Sequence, residues 1–486
     1  MIEVSDSLAG ADVPAQHASS NSRAWRDSFA RLLGPIVFYS LLSLIALVAV
    51  PYGTVEPWWE ALFECAVFAL SALWIIEGAL TGRWFFKAHR IFLPVLLLVL
   101  YAFIQAWPLW GSTTNGAGLE LSGAISADPY ETRRLAFKLL ALALAGILLL
   151  RYASEGRRLR ALVYTIIGVG VLSAFFGILR QTTQHTEGFF LPFLSPSAGY
   201  AQFINRNHFA FLMEMALGLT LGLVIWRGVR RDQLLIHLAP ALPVWVALVL
   251  CNSRGGLFAM LAEVLFLALL FTFVRSGRES SGREMEDENF LRRLGRATVF
   301  RPVLIVGLLV TVFLGAVWMG GEALTSRLEK VSSDAGAAGD GASRAETWRA
   351  TWRMIKDHPL TGVGFNGYWV AITRYHGASG EVTPQQAHND YLELLASGGL
   401  IGTALALWFV VLFIKGVRAL GRNADSFRRA AALGACAGLF GVAAHSIVDF
   451  GLHVTINALI FTALVVVAIA GSLPQQKRAQ GLPANA

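Results

Sequence analysis

The chain has 486 residues, 55% of them hydrophobic and only 15% charged, with a mean hydropathy of +0.56, a balance that excludes a soluble globular protein of this size. Its net charge of +8 does not by itself indicate nucleic acid, because in a membrane protein the placement of Lys and Arg relative to the apolar spans decides their meaning. Cys65, Cys251 and Cys436, with no Cys-x-x-Cys pair among them, argue against a disulfide scaffold or a thiolate zinc site.

Residues 1–31 are polar and lack the apolar core of a cleaved secretory signal, so they read as a cytoplasmic tail ahead of an anchoring first span. Apolar runs long enough to cross a bilayer as helix follow near 32–52, 59–80, 91–110, 135–150, 161–179, 208–226, 234–252, 256–274 and 303–320, and again near 391–415, 430–448 and 453–472. The expectation is an all-α polytopic membrane protein of about twelve transmembrane helices. Residues 32–321 would carry helices one to nine, 322–390 a large, partly helical periplasmic loop, 391–472 the last three helices, and 473–486 a cytoplasmic tail.

Lys and Arg fall in alternate connections. Arg83, Lys87 and Arg90, then Arg151, Arg157, Arg158 and Arg160, then Arg227, Arg230 and Arg231 share one side. The stretch 275–301 and the connection around 416–429 add more to the same side. The positive-inside rule makes that side cytoplasmic, together with both termini, and puts 322–390 outside. Residues 275–301 mix both charges with Gly and Ser and read as a solvated loop.

Polar groups gather at the predicted outer ends of the spans. Asn205-Arg206-Asn207-His208 opens the sixth span. Arg254, in Asn252-Ser253-Arg254-Gly255-Gly256, lies in a short outer connection, where a charge beside hydrocarbon either snorkels to the interface or serves function. Ser343-Arg344-Ala345-Glu346 has capping-box spacing and predicts a helix to about Asp357, stopped by His358-Pro359. On it Arg344, Trp348 and Trp352 form one stripe beside Arg349, Arg353 and Lys356. That helix either anchors the loop at the interface or grips a phosphorylated lipid. Asp390, with Glu393 three residues on, reads as the N-cap of the tenth span. His388 then stands just outside a helix mouth that favours anions, either as a packed loop histidine or as a working one. His445 and Asp449 share a helix face near the outer end of the eleventh span, and His453 begins the twelfth. The residues suggest an outward-facing polar cavity for a substrate with an anionic, membrane-embedded end, in which Arg pairs hold a pyrophosphate.

Ser253-Arg254-Gly255-Gly256, Ser343-Arg344 with Trp348, His358-Pro359-Leu360-Thr361-Gly362-Val363-Gly364, and His388-Asn389-Asp390-Tyr391-Leu392 with Gly398-Gly399 together resemble the bacterial O-antigen ligase and polymerase family, most strongly between Ala201 and Asp449. The resemblance implies an inner-membrane glycosyltransferase without cofactor, and the outer loops show no Asp-x-Asp or His-x-x-x-His pattern, which predicts a metal-independent enzyme. It would move a glycan from undecaprenyl pyrophosphate to a glycan or lipid A-core acceptor at the periplasmic face, among membrane lipids and polysaccharide-assembly proteins. Carried over by motif, Arg254 and Arg344 would bind the donor pyrophosphate and His388 would activate or orient the acceptor hydroxyl. Asp449 matches an acidic position late in some members. Trp348, Arg349, Asn205, Arg206, Asn389 and Asp390 would contact substrate. Ligase and polymerase stay open at this point, as does a protein O-oligosaccharyltransferase. A polysaccharide-lipid transporter or flippase and a noncatalytic scaffold are the readings of another class.

Overall fold

The computed structural model describes residues 14–82, 84, 87–109, 113–114, 120–121, 123–183, 199–279, 344–377, 383–418, 420 and 425–473. The protein is a polytopic helical bundle. Its main helices are α1 Pro14–Val48, α2 Pro57–Thr81, α3 Leu93–Gln105, α4 Pro129–Tyr152, α5 Gly156–Thr182 and α6 Arg206–Ile225. There follow α7 Leu234–Leu238, α8 Ala241–Leu250, α9 Arg254–Glu279, α10 Arg344–Asp357, α11 Tyr368–Ala371, α12 Asp390–Val417, α13 Ser426–His445 and α14 Thr455–Ser472. Thr113–Thr114 and Glu120–Leu121 pair as a minimal antiparallel ribbon. Helices dominate because hydrocarbon offers no partner for a free backbone amide or carbonyl.

Among the described residues nine helices are long and apolar enough to cross a membrane. They coincide with the predicted spans one to six and ten to twelve. The predicted seventh span is divided into α7 and α8, where Pro240 stands between them; a proline lacks the amide a continuous helix needs. The eighth is α9. The ninth, near 303–320, and Ser343 of the predicted capping box lie outside the described residues. Helix α1 starts at Pro14, well before the predicted span.

Helix starts follow local chemistry. Asp128 accepts from the Glu131 amide at 3.1 Å and Pro129 opens α4, while Asp425 accepts from the Phe427 and Arg428 amides ahead of α13. Helix α6 is the most enclosed element, buried from Phe209 to Ile225. It crosses α13 at backbone contact. A Cβ at Gly218 would lie 2.5 Å from the Gly438 nitrogen, and one at Gly222 would lie 2.2 Å from the Gly434 Cα. Small residues four apart on both helices permit that approach, which replaces the hydrophobic drive that lipid cannot supply.

A second contact fixes the segment that follows α10. Helix α12 breaks at Gly399 (φ 61°, ψ −164°), which frees the carbonyls of Ala396 and Ser397. The loop amides of Val363 and Gly364 donate to them at 2.9 and 3.0 Å, and the Gln105 amide reaches Ser397 O at 3.0 Å. Gly362 (φ 68°) and Gly399 interlock, since a Cβ on either would lie within 2.4 Å of the other segment's backbone. Positive φ and a close backbone approach together explain glycine at both positions.

Candidate active site

The N-cap of α12 is Asn389, whose Oδ1 accepts from the Tyr391 and Leu392 amides, each at 3.0 Å. This corrects the expected N-cap Asp390, which is instead the first helical residue. Asp390 turns sideways to α13: Ser446 Oγ donates to it at 2.7 Å, and its own amide donates to Ser446 O at 3.0 Å. An Asn side chain satisfies the same free amides without adding a charge, which leaves the Asp390 carboxylate for tertiary contacts. Glu393 Oε2 accepts from the Ala387 amide at 2.9 Å, and Trp348 Nε1 of α10 donates to Ala387 O at 2.9 Å. Ala387 is thus held on both its polar groups.

His388, next in the chain, has φ 50°, an uncommon conformation for a residue with a Cβ and one that persists when its surroundings impose it. The turn directs the imidazole to the connection between α13 and α14. There His388 Nδ1 lies 3.5 Å from Asp449 Oδ1, and the ring meets Phe450 edge to face at a centroid distance of 4.9 Å. His208 packs on Phe450 in the same way at 4.8 Å. Arg344 Nη2, at the first residue of α10, stands 3.9 Å from Asp449 Oδ2. The Asn207 side-chain amide donates to that same oxygen, and the Phe450 amide donates to Oδ1 at 2.9 Å.

The Asp449 side chain is 1% exposed, whereas His388 and Arg344 are 40% and 53% exposed. Burial alone would raise its pKa. The His388 imidazole, His208, and the Phe450 amide overcome that and hold the carboxyl down at about 2. Asp449 is therefore a buried anion at neutral pH. It draws an imidazole and a guanidinium together while leaving part of each at the surface. A carboxylate at Nδ1 favours the tautomer with its proton there, which leaves Nε2 as an acceptor.

Residues 239–407 match the family model described as O-antigen ligase. The chain carries an O-antigen ligase family domain. That match contains Arg254, Arg344 and His388, whereas Asn207 and Asp449 lie outside it, on either side. No curated protein matches the chain.

In this O-antigen ligase domain, Arg254 is the first residue of α9, after Ser253, whose Oγ accepts from the Gly256 amide at 3.1 Å. Its side chain is exposed. The neighbouring Gly255 sits so close to α13 that a Cβ would lie 2.4 Å from His445 Nε2, four residues before Asp449. Arg254 thus belongs to the same end of the bundle but is not among the described side chains that touch Asp449. Arg349 and Arg206 are exposed. Asn205 is the N-cap of α6 and accepts from the Asn207 amide at 2.8 Å. Trp348 and Asn389 hold the backbone on either side of His388.

The sequence places Asn207, His208 and His453 among the outer polar groups without giving them a role in the site, and nothing in it marks Phe450. His453 Nε2 lies 3.7 Å from Asp390 Oδ1 and 3.5 Å from Glu393 Oε1. The available signal was the polar start of α6, in which the two residues after Asn205-Arg206 carry the contacts. Among the described residues, no group of three or more His, Cys, Asp or Glu side chains is placed to hold a metal ion.

Proposed function

We propose that the protein is an inner-membrane glycosyltransferase of the O-antigen ligase and polymerase type, transferring a glycan from undecaprenyl pyrophosphate to an acceptor sugar at the periplasmic face in surface polysaccharide assembly. The observation that carries this reading is the buried Asp449 carboxylate, with His388 and Arg344 on its two oxygens. His388 Nε2 takes the proton of the acceptor hydroxyl as its oxygen bonds to the anomeric carbon of the donor. The bond from that carbon to the pyrophosphate oxygen breaks, and the electron pair leaves with the pyrophosphate. Arg344, with Arg254 from α9, stabilises the departing charge electrostatically. The lipid pyrophosphate is the leaving group, so the step needs neither ATP nor a nucleotide sugar. Apolar helix faces accommodate the polyprenyl chain.

The site faces the periplasm in this reading, both termini are cytoplasmic, and residues 322–390 form the outer loop that supplies Arg344 and His388. The purified full chain, given lipid-pyrophosphate-linked glycan and an acceptor in EDTA without ATP, transfers the glycan. Persistence of transfer in His388→Ala removes His388 from the chemistry. Accumulation of the glycan inside vesicles without a new glycosidic bond replaces the enzyme reading with a transporter or flippase. Mass analysis of glycans from a deletion strain separates the acceptors: capped single repeats mark a polymerase, and long chains retained on the carrier lipid mark a ligase. Glycan lost from protein Ser or Thr marks an O-oligosaccharyltransferase.

A further inference from the structure

Two adjoining cavities open beside the N-terminus of α12, and Asp390 and His453, next to the Asp449 cluster, line the larger. The larger, about 420 Å³, is almost wholly apolar, with Phe92, Leu98, Leu139, Phe409 and Phe461 in its wall. The smaller, about 300 Å³, is polar, and Glu131, Asn366, Trp369, Gln385, Gln386 and Glu393 line it. Asn366 and Glu393 belong to both walls, so one amphiphile can occupy the pair, with its chain in the first and its head in the second.

The character of the smaller cavity decides which head it suits. It offers carboxylates, amides and an indole, and no Lys or Arg among the described residues lines it; Lys138, in the wall of the larger cavity, is paired with Glu60 at 2.5 Å. Of the two cations that follow Glu131 in the chain, Arg133 is exposed and outside the lining, and Arg134 is bonded to Glu131 at 2.7 Å and to Glu60 at 3.2 Å. A phosphate in this cavity would find no Lys or Arg among the described lining residues and would face the Glu131 carboxylate. Hydroxyl groups would donate to the carboxylates and exchange hydrogen bonds with the amides, and the half-exposed Trp369 offers a flat face to a sugar ring. The volume stands at the lower end of the range for small-molecule sites.

Its position gives the second part of the argument. Gln386 is two residues before His388, at most about 7 Å of extended chain, and Glu393 is five residues after it. Arg344 approaches Asp449 from α10, and Arg254 stands at the α9 end. Displacement at a saturated carbon separates the attacking oxygen from the leaving oxygen, and the lining without Lys or Arg among the described residues suits the uncharged acceptor, whereas the arginines suit the pyrophosphate.

We infer that the smaller cavity is a sugar subsite for the acceptor: it takes an uncharged or amino-bearing hexose at the end of an amphiphile, and the donor pyrophosphate stays on the arginine side of His388. The assignment rests on the glycosyltransferase reading, but its binding test does not require turnover. Full-length protein in nanodiscs is titrated with radiolabelled n-octyl β-D-glucoside below its micelle-forming concentration, and separately with farnesyl pyrophosphate. Trp369→Ala and Gln385→Ala change half-exposed or exposed side chains. Each weakens the glucoside by about tenfold and leaves farnesyl pyrophosphate within about twofold, while Arg344→Ala does the reverse. The subsite is overturned if wild-type protein does not bind the glucoside, if both cavity variants bind it normally, or if they weaken the pyrophosphate instead. Glycan transfer measured in EDTA on the same wild-type preparation tests the enzyme reading separately, so transfer without the expected binding pattern sinks the subsite alone.

Discussion

Gly222 and Gly434 bring α6 and α13 together at their backbones, so that even a methyl group on Gly222 would lie 2.2 Å from the Gly434 Cα. The same two helices lead to the site: α6 begins beside Asn207, and α13 ends four residues before Asp449. Helix spacing thus sets whether the Asn207 amide reaches the Asp449 carboxylate. Gly222→Val forces the helices apart and costs about 1–3 kcal/mol, the usual cost of overpacking. A lower Tm in detergent, with a smaller loss for Gly222→Ala, is the expected result; an unchanged Tm for Gly222→Val would refute the backbone contact.

Asp449 gives the protein a specific acid sensitivity. Its carboxyl is held at about 2 from an ordinary value of 3.8. A depressed carboxyl stabilises the folded state above its unfolded pKa, and that stabilisation is lost as pH falls through the folded value. The window therefore runs from about pH 4 down to about pH 2, and the full amount is about 2 kcal/mol. Asp449→Asn lowers Tm at neutral pH and flattens the fall in Tm between pH 5 and pH 3. A variant with the wild-type slope would show that Asp449 is not the group titrating.

Much of this arrangement is legible in the sequence, and the remainder is hidden for identifiable reasons. Length and apolarity expose the spans, and the proline after His358 marks the end of α10. The placement of His388 outside a helix mouth follows from capping chemistry, although Asn389 and Asp390 compete for the cap and only tertiary contacts decide between them. Ser446 and His453 claim the Asp390 carboxylate, which leaves the cap to Asn389. Gly218, Gly222, Gly434 and Gly438 are unremarkable in a chain with 47 glycines, because close approach is a property of two helices and neither sequence shows it alone. Asn207 meets Asp449 across 242 positions, a separation at which local periodicity carries no information.

Trp348 acts on His388 through the backbone. Its indole nitrogen holds Ala387 O, one residue before the strained histidine. Trp348→Phe keeps the ring packing and removes that hydrogen bond, a loss of about 1 kcal/mol. In the glycosyltransferase reading kcat falls several-fold while KM for the lipid-pyrophosphate donor is unchanged, since no donor contact is touched. A rise in donor KM with constant kcat would place Trp348 on the substrate instead.

Arg344 and Lys differ in a way that the site makes measurable. A guanidinium can touch the Asp449 carboxylate with one nitrogen and present others in a fixed plane to a pyrophosphate, whereas an ammonium is a single point of charge. Arg344→Lys therefore keeps the sign of the charge and loses the paired hydrogen bonds. The expected loss in kcat/KM is about 10- to 100-fold, equivalent to about 1.4–2.8 kcal/mol. Equal activity of the Lys variant would mean that Arg344 supplies only long-range charge, and a large effect of added salt would accompany it.

One turn before Asp449, His445 Nδ1 and Glu214 Oε1 lie 2.8 Å apart with neither side chain exposed, and Phe211 stacks on the imidazole at a centroid distance of 4.1 Å. The pair joins α13 to α6 above the glycine crossing. Removing one partner leaves a buried polar group without its counterpart, which costs about 3–5 kcal/mol, whereas replacing both with apolar groups of similar volume is often neutral. His445→Phe alone is therefore expected to lower Tm strongly, and Glu214→Leu combined with His445→Phe to recover most of the loss. Recovery of Tm together with glycan transfer would assign the pair to packing. Recovery of Tm without transfer would mean that the pair also serves the Asp449 site, whose backbone amide donates to His445 O at 3.1 Å. Additive losses in the double variant would show that the two side chains are not energetically coupled.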